Sequence, residues 1–275
     1  VKRRLGNTMA KLVAAVATPH APMLPQQVAQ APGQLKAEAL MSEVRRRLEA
    51  AAPDVIIVVA SDHFTNFFYN NLPQFCVGVV ESAEGPSETY CVMPRRKIRG
   101  DTGLARGLLD HGLNAGFDLA IAQELRLDHS VVVPLHFVAP SEDIPVIPFY
   151  INGLAPPLPL ARRCYALGQN IRRFIEQRDG DQRVALLASG SISLEVGGPQ
   201  VGWTDEPWVA TVVDHLGRGA YRNLARRATE KRMTAAGNVS GELLCWIAVT
   251  GAVGDARPSF LETDGGSGYA AWDLV

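Results

Sequence analysis

The chain has 275 residues, with 27 basic against 28 acidic, a formal net charge of -1 and 47% hydrophobic residues. That length is enough for one large α/β domain with a full core. The balanced charge shows no basic stripe, which sets nucleic acid aside as a partner, and no apolar run is long enough to span a bilayer.

The leading Val-Lys-Arg-Arg-Leu-Gly-Asn-Thr-Met9 is basic, but the apolar stretch behind it has no cleavage pattern. Met9 reads as the start of a single domain over 9–275, with residues 1–8 a leader or start-site extension. Leu12–Ala17 is a short apolar run backed by Thr-Pro-His20-Ala-Pro, the pattern of a buried parallel strand with a functional loop at its carboxyl end. Ala37, Leu40, Met41, Val44 and Leu48 recur at helical spacing, and Pro53-Asp54 stops that helix. Val55–Ala60 is the clearest strand, built almost wholly of β-branched residues. Leu104, Leu108 and Leu109 mark a helix. Pro145–Asn152 predicts a strand whose prolines suggest an edge or a bulge. Leu160, Cys164, Leu167, Ile171 and Phe174 line an amphipathic helix, and Val184–Ala188 is another buried strand. From about 200 onward the pattern is helical, strongest over Gly241–Val253. Alternating strands and helices without a linker or repeat predict one α/β domain, a mostly parallel central sheet flanked by helices.

Cys76, Cys91, Cys164 and Cys245 form no CxxC pair, as expected of reduced thiols in a cytoplasmic protein. The chemistry-bearing residues follow the strands. His20, His63 and the Ser189–Ser193 segment each come directly after an apolar run. In open α/β sheets ligands bind beyond the carboxyl ends of the strands, so these clusters converge on one edge. Two imidazoles and one carboxylate are the ligand set of mononuclear non-haem Fe(II) sites, with three positions left open. Glu242, on a C-terminal helix, completes such a set with His20 and His63. Alone, each residue has a plainer explanation. A histidine after a strand is more often a loop residue, and Glu242 is an ordinary first-turn glutamate with Ser240 as N-cap. Asp62 is placed to orient the His63 ring. His129 and His136 straddle Val-Val-Val-Pro-Leu as core histidines would, and Phe64, Phe67, Phe68 and Tyr69 are by default packing. The inference depends on all of them together.

As a set, these segments resemble the type III extradiol ring-cleavage dioxygenases, the superfamily of the catalytic subunit of protocatechuate 4,5-dioxygenase and of the 2,3-dihydroxyphenylpropionate and 2-aminophenol ring-cleaving enzymes. The resemblance runs in order through Thr-Pro-His20-Ala-Pro, Ser-Asp-His63-Phe-Thr-Asn-Phe-Phe-Tyr, Leu-Asp-His129-Ser-Val-Val-Val-Pro-Leu, Ile-Pro-Val-Ile-Pro-Phe-Tyr-Ile-Asn-Gly153, Ala-Ser-Gly-Ser-Ile-Ser-Leu194-Glu-Val-Gly-Gly and Gly-Glu242-Leu-Leu-Cys-Trp. It implies Fe(II) held by His20, His63 and Glu242, and His129 in contact with substrate and dioxygen. A catechol or 2-aminophenol would be cleaved beside its two heteroatoms to a muconic semialdehyde product. His136 and Phe64 are further candidates for the substrate pocket. Arg95, Arg96 and Lys97 are candidates for a substrate carboxylate only if their loop folds over the site. A homo-oligomer, or pairing with a sister subunit, is expected.

The departure is Leu194. The family segment there resembles Gly-Gly-Leu-Ser-His, and its histidine is the acid/base residue. This chain reads Gly190-Ser-Ile-Ser-Leu194. A general acid/base group contributes about 10²–10⁴-fold, and leucine transfers no proton. Glu195, His136 or a water chain takes over, or the substrate needs no shuttle there, or the residue was introduced deliberately. A non-catalytic subunit of a heteromeric dioxygenase and a different metalloenzyme on the same fold, such as a zinc-dependent one, are the alternatives.

Overall fold

The computed structural model describes residues 8–274. The suggested leader lies almost wholly outside them, although the Thr8 carbonyl accepts the Gly180 N–H at 2.9 Å. In chain order the elements are β1 (Lys11–Thr18), α1 (Leu24–Gln30), α2 (Lys36–Ala50), β2 (Val55–Ala60), β3 (Phe75–Gly78), β4 (Ser82–Gly85), β5 (Arg96–Arg99), α3 (Thr102–Asn114), β6 (Ala120–Ala122), α4 (His129–Val138), β7 (Val146–Ile151), α5 (Ala161–Glu176), β8 (Arg183–Ser189), α6 (Glu206–Gly217), α7 (Tyr221–Arg227), α8 (Glu230–Thr234), α9 (Leu243–Val253), β9 (Phe260–Asp264) and β10 (Ser267–Asp273). One turn of 3-10 helix, Ser240–Glu242, leads into α9.

Eight strands form one sheet in the order β6-β3-β7-β2-β8-β1-β10-β9, and β4 pairs with β5 beside it. The middle four, β7, β2, β8 and β1, run parallel to one another. Every residue of β2 is buried, because helices cover both faces of a parallel sheet. Alternation assigns Val55, Ile57 and Val59 to one core layer and Ile56, Val58 and Ala60 to the other. α3, α5 and α9 pack on the first face, α2 and α4 on the second. Burying each such Val or Ile contributes roughly 1.5–3 kcal/mol.

The sequence pattern is corrected in two places. β7 is neither an edge nor a bulge: it lies inside the sheet between β3 and β2. Pro148 stands one step past the last β3–β7 pair, opposite Gly78, whose missing side chain leaves it room. The C-terminal part is not helical to its end, since β9 and β10 form a hairpin that adds antiparallel to β1. Ser267-Gly-Tyr-Ala-Ala-Trp-Asp273 is buried over five of its seven residues, so no alternation marks it as a strand.

Candidate metal centre

β8 lies between β1 and β2, so the carboxyl ends of three adjacent parallel strands deliver His20, His63 and the Ser189–Ser191 turn to one place. Glu242 arrives from the other side of the sequence, at the end of the 3-10 turn. Its position depends on backbone approach: a Cβ on Gly190 would lie 2.6 Å from the Glu242 Cβ, so only glycine lets the end of β8 pass. Trp246, on α9, donates its indole N–H to the Gly190 carbonyl at 2.9 Å and fixes that contact.

The His20 Nε2 is 3.1 Å and the His63 Nε2 3.2 Å from the same oxygen, Glu242 Oε1. The other carboxylate oxygen, Oε2, accepts the Ser191 N–H at 2.8 Å. The Ser189 hydroxyl donates to the Ser130 carbonyl, which leaves its lone pairs to accept the His20 Nδ1–H at 2.8 Å. His20 is therefore held as the tautomer whose Nε2 lone pair faces the carboxylate. The His63 Nδ1 side faces Asp128 Oδ2 at 3.4 Å, and that oxygen accepts the His63 backbone N–H at 2.6 Å. Lone pairs on two imidazoles and one carboxylate oxygen thus point at one another in a buried spot. A proton or a cation must lie between them. The electrostatics agree. Burial pushes the His63 imidazole down, but hydrogen bonds and charge from Asp128 and Glu242 outweigh it and raise it to about 10. Burial pushes the Glu242 carboxyl up, yet His20 and His63 hold it far below the usual carboxylate range. Two imidazoles, one with its second nitrogen fixed by Ser189, and one carboxylate fit a divalent first-row metal that would take the place of the shared proton.

His129 stands beside these groups, its ring centroid 4.2 Å from that of His63 and 5.2 Å from that of His20. The ligand atoms of His20, His63 and His129 lie within 4.8 Å of one another. Asp128 caps α4 by accepting the Ser130 N–H at 3.1 Å, which places His129 at the helix start. His129 Nδ1 is 2.6 Å from Glu88 Oε1, an oxygen that also accepts the His129 backbone N–H. Burial, with the neighbouring imidazoles, lowers the His129 pKa despite Glu88. Burial raises the Glu88 carboxyl, but its bond to His129 brings the balance below the ordinary value. The geometry commits Nδ1 to Glu88, and burial favours the uncharged form of the ring.

A cavity of about 290 Å³ opens here, lined by His20, His63, His129, Glu242 and Leu194 among others. Leu194 is in its wall, its N–H donating to the Ser240 hydroxyl at 3.2 Å. Ser240 is thus a strut for this segment and caps no helix. His136, Phe64 and Glu195 do not line the cavity. His136 packs edge-on against Phe137 toward the far end of α4. Phe64 sits at φ 57° and stacks on Tyr69. Glu195 accepts the Asn238 N–H at 2.8 Å. Asp62 does not orient His63; it accepts the N–H groups of Thr65, Asn66 and Phe67 and shapes the loop that carries Phe64, and the carboxylate that faces the His63 ring is Asp128. The basic loop does not fold over the site. Arg95 pairs with Glu84, and Arg96 is buried against the carbonyls of Leu135, Ala139 and Ser141.

Glu88, Tyr90 and Asp128 also belong to the site, and the sequence does not single them out. Asp128 has a signal, an Asp at the head of an apolar helical run. Glu88 has none, since it meets His129 across 41 residues.

The architecture is shared with a solved structure of an uncharacterized protein from Escherichia coli K12, at a TM-score of 0.61 and 16% identity, covering 94% of this chain and 98% of that one. The 2,3-dihydroxyphenylpropionate/2,3-dihydroxicinnamic acid 1,2-dioxygenase of Klebsiella pneumoniae (strain 342) is 33% identical over 167 residues, 60% of this chain and 51% of that protein. Its namesake in Burkholderia vietnamiensis is 32% identical over 201 residues, 72% of this chain and 60% of that protein. The second such enzyme of Pseudomonas putida is 33% identical over 189 residues, 68% and 57%. The chain matches about half to three fifths of the length of these relatives. The family described as the catalytic LigB subunit of aromatic ring-opening dioxygenase matches residues 14–268, and the chain belongs to it.

Proposed function

We propose that this chain binds one Fe(II) through His20, His63 and Glu242 and cleaves a catechol-type or 2-aminophenol-type ring with dioxygen, beside the two heteroatoms. The observation that carries the proposal is the meeting of two imidazole Nε2 atoms on one buried carboxylate oxygen. When bound, the iron supplies chelation of the two ring heteroatoms and an electronic path between ring and dioxygen. The chain does the rest. Ser189 holds the His20 imidazole, Asp128 holds the His63 backbone and faces its ring at 3.4 Å, and Ser191 holds the carboxylate. His129, fixed by Glu88, offers Nε2 to take a proton from the ring hydroxyl. Leu194 and its aliphatic neighbours exclude water from the ring's far side. The family membership and the relatives' names support this reaction class.

A non-catalytic subunit of a heteromeric dioxygenase is the second possibility, favoured by Leu194 in the cavity wall. A zinc enzyme on the same fold is a third. Two measurements separate them. Metal analysis of protein purified without oxygen should find one iron per chain. Oxygen uptake with a panel of catechols and 2-aminophenols should accompany a yellow ring-opened product. Zinc in place of iron would sink the cofactor assignment, and iron-loaded protein that consumes no oxygen with any of them would favour the non-catalytic subunit. A small aromatic diol or aminophenol and dioxygen are the partners this function requires. Assembly with a second copy or a sister subunit is part of the proposal. No helix among the described residues is long and apolar enough to cross a membrane, and we place the enzyme in the cytoplasm.

A further inference from the structure

The aliphatic part of the cavity wall is Ala21, Pro22, Leu194, Val196 and Val239, set beside the hydroxyl-bearing Tyr90, Ser191 and Ser267. Among the described residues, no lysine or arginine lines it. The nearest acidic groups are of one sign. Glu242 is in the site itself, while Glu88 and Asp128 stand directly behind His129 and His63. The arginines closest in sequence to the site residues have other partners. Arg126 reaches the Thr65 carbonyl at 3.4 Å, Arg95 pairs with Glu84, and Arg96 is spent on three carbonyls at and beyond the end of α4. A substrate carboxylate seated against this wall would lose water and gain neither a counter-ion nor a charged donor. An uncompensated buried charge is strongly disfavoured, whereas an alkyl or aryl group there gains by burial.

We infer that the ring substituent this pocket accepts is uncharged and apolar, so that the substrate class is a neutral catechol or 2-aminophenol carrying hydrogen, alkyl or aryl beside the reacting positions. This rests on the ring-cleavage function proposed above. It also sets the chain apart from the relatives named for 2,3-dihydroxyphenylpropionate, a molecule with a propionate carboxylate. Leu194 then has a positive role. It extends the apolar wall at the position where the resemblance calls for a histidine.

The test is a matched pair: 3-propylcatechol and 2,3-dihydroxyphenylpropionate, alike in ring and chain length and different in the terminal carboxylate. Each is titrated into the iron-loaded protein without oxygen and followed by calorimetry, and kcat/KM is then measured by oxygen uptake. The neutral compound should bind at least about tenfold more tightly, the equivalent of one unfavourable charge contact, and show the larger kcat/KM. Val196→Arg, which puts a cation on the cavity rim, should narrow the ratio by strengthening binding of the carboxylate. Equal or tighter binding of 2,3-dihydroxyphenylpropionate by the unaltered protein would overturn the inference and leave ring cleavage standing. If the iron-loaded protein neither bound nor cleaved either compound, nor 2-aminophenol run beside them, ring cleavage itself would fall, and the substrate class with it.

Discussion

Glu88 and His129 form a 2.6 Å carboxylate–imidazole pair in which a single oxygen of Glu88 accepts both the ring Nδ1–H and the backbone N–H of His129. The arrangement fixes the ring's rotation and its tautomer at once. It positions, at the head of α4, the residue proposed above to accept the substrate proton.

His129→Ala should remove turnover, by about 10²–10⁴-fold for one acid/base group, while iron content stays at one per chain. Glu88→Gln keeps the shape but replaces the acceptor. It should lower kcat and shift its pH profile without loss of iron. Glu195→Gln should have the smaller effect, because Glu195 is turned to Asn238 and away from the cavity. A large loss of iron in His129→Ala would make it a ligand instead.

Replacing His20, His63 or Glu242 by alanine should abolish stoichiometric iron. Each removal leaves at most two donors, and for Glu242 it also strips the carboxylate in direct contact with both imidazoles. Metal analysis of the purified variants decides. A Glu242→Ala protein with full iron would reject the carboxylate.

Leu194→His puts an imidazole into the cavity wall, where leucine now stands. On a simple catechol it should raise turnover, by up to the roughly 10²–10⁴-fold of one acid/base group. An iron-loaded variant that turns over no faster would mean that this enzyme's chemistry does not run through position 194.

Much of the fold is legible in the chain. Runs such as Val55–Ala60 are so apolar that only a sheet covered on both faces can hold them, and their ends place His20 and His63. The hidden part depends on contacts between distant segments. Glu88 joins His129, and Asp128 displaces Asp62 as the partner of His63, through loops whose geometry has no periodicity. The proline in β7 misleads for a related reason: its tolerance comes from Gly78 on another strand. Phe64 and His136 are local neighbours of site residues in sequence, and the turn after β2 and the length of α4 carry them off.

α5 and α9 pack at backbone distance. A Cβ on Gly168 would collide with the Ala248 carbonyl, so Gly168→Ala must push the helices apart. Overpacking of this kind costs about 1–3 kcal/mol, readable as a lower denaturation midpoint. Because α9 follows directly from Glu242, iron affinity should fall in the same variant.

The four thiols are buried and free. Burial pushes Cys76, Cys91 and Cys245 up to about 12 and Cys164 well above its ordinary value. Folded values above unfolded ones mean stabilisation that is complete below the unfolded thiol pKa and lost as pH climbs toward 12. The thiols' own contribution to the denaturation midpoint should therefore hold at neutral pH and decline above about pH 9, on top of the loss between about 6.5 and 10 that the raised His63 imposes on metal-free protein, and native protein at neutral pH should resist alkylation. Fast labelling of any one thiol would contradict this.

His20 and Glu242 are 222 positions apart in the chain, yet they meet at one oxygen atom. A cation captured there works as a clasp between the first strand and the last long helix, closing nearly the whole polypeptide into a loop. Its grip belongs only to the folded chain, so every tenfold excess of free metal over its dissociation constant adds about 1.4 kcal/mol to resistance against unfolding. Iron supply would then govern how long this protein survives in its cell as well as how fast it works.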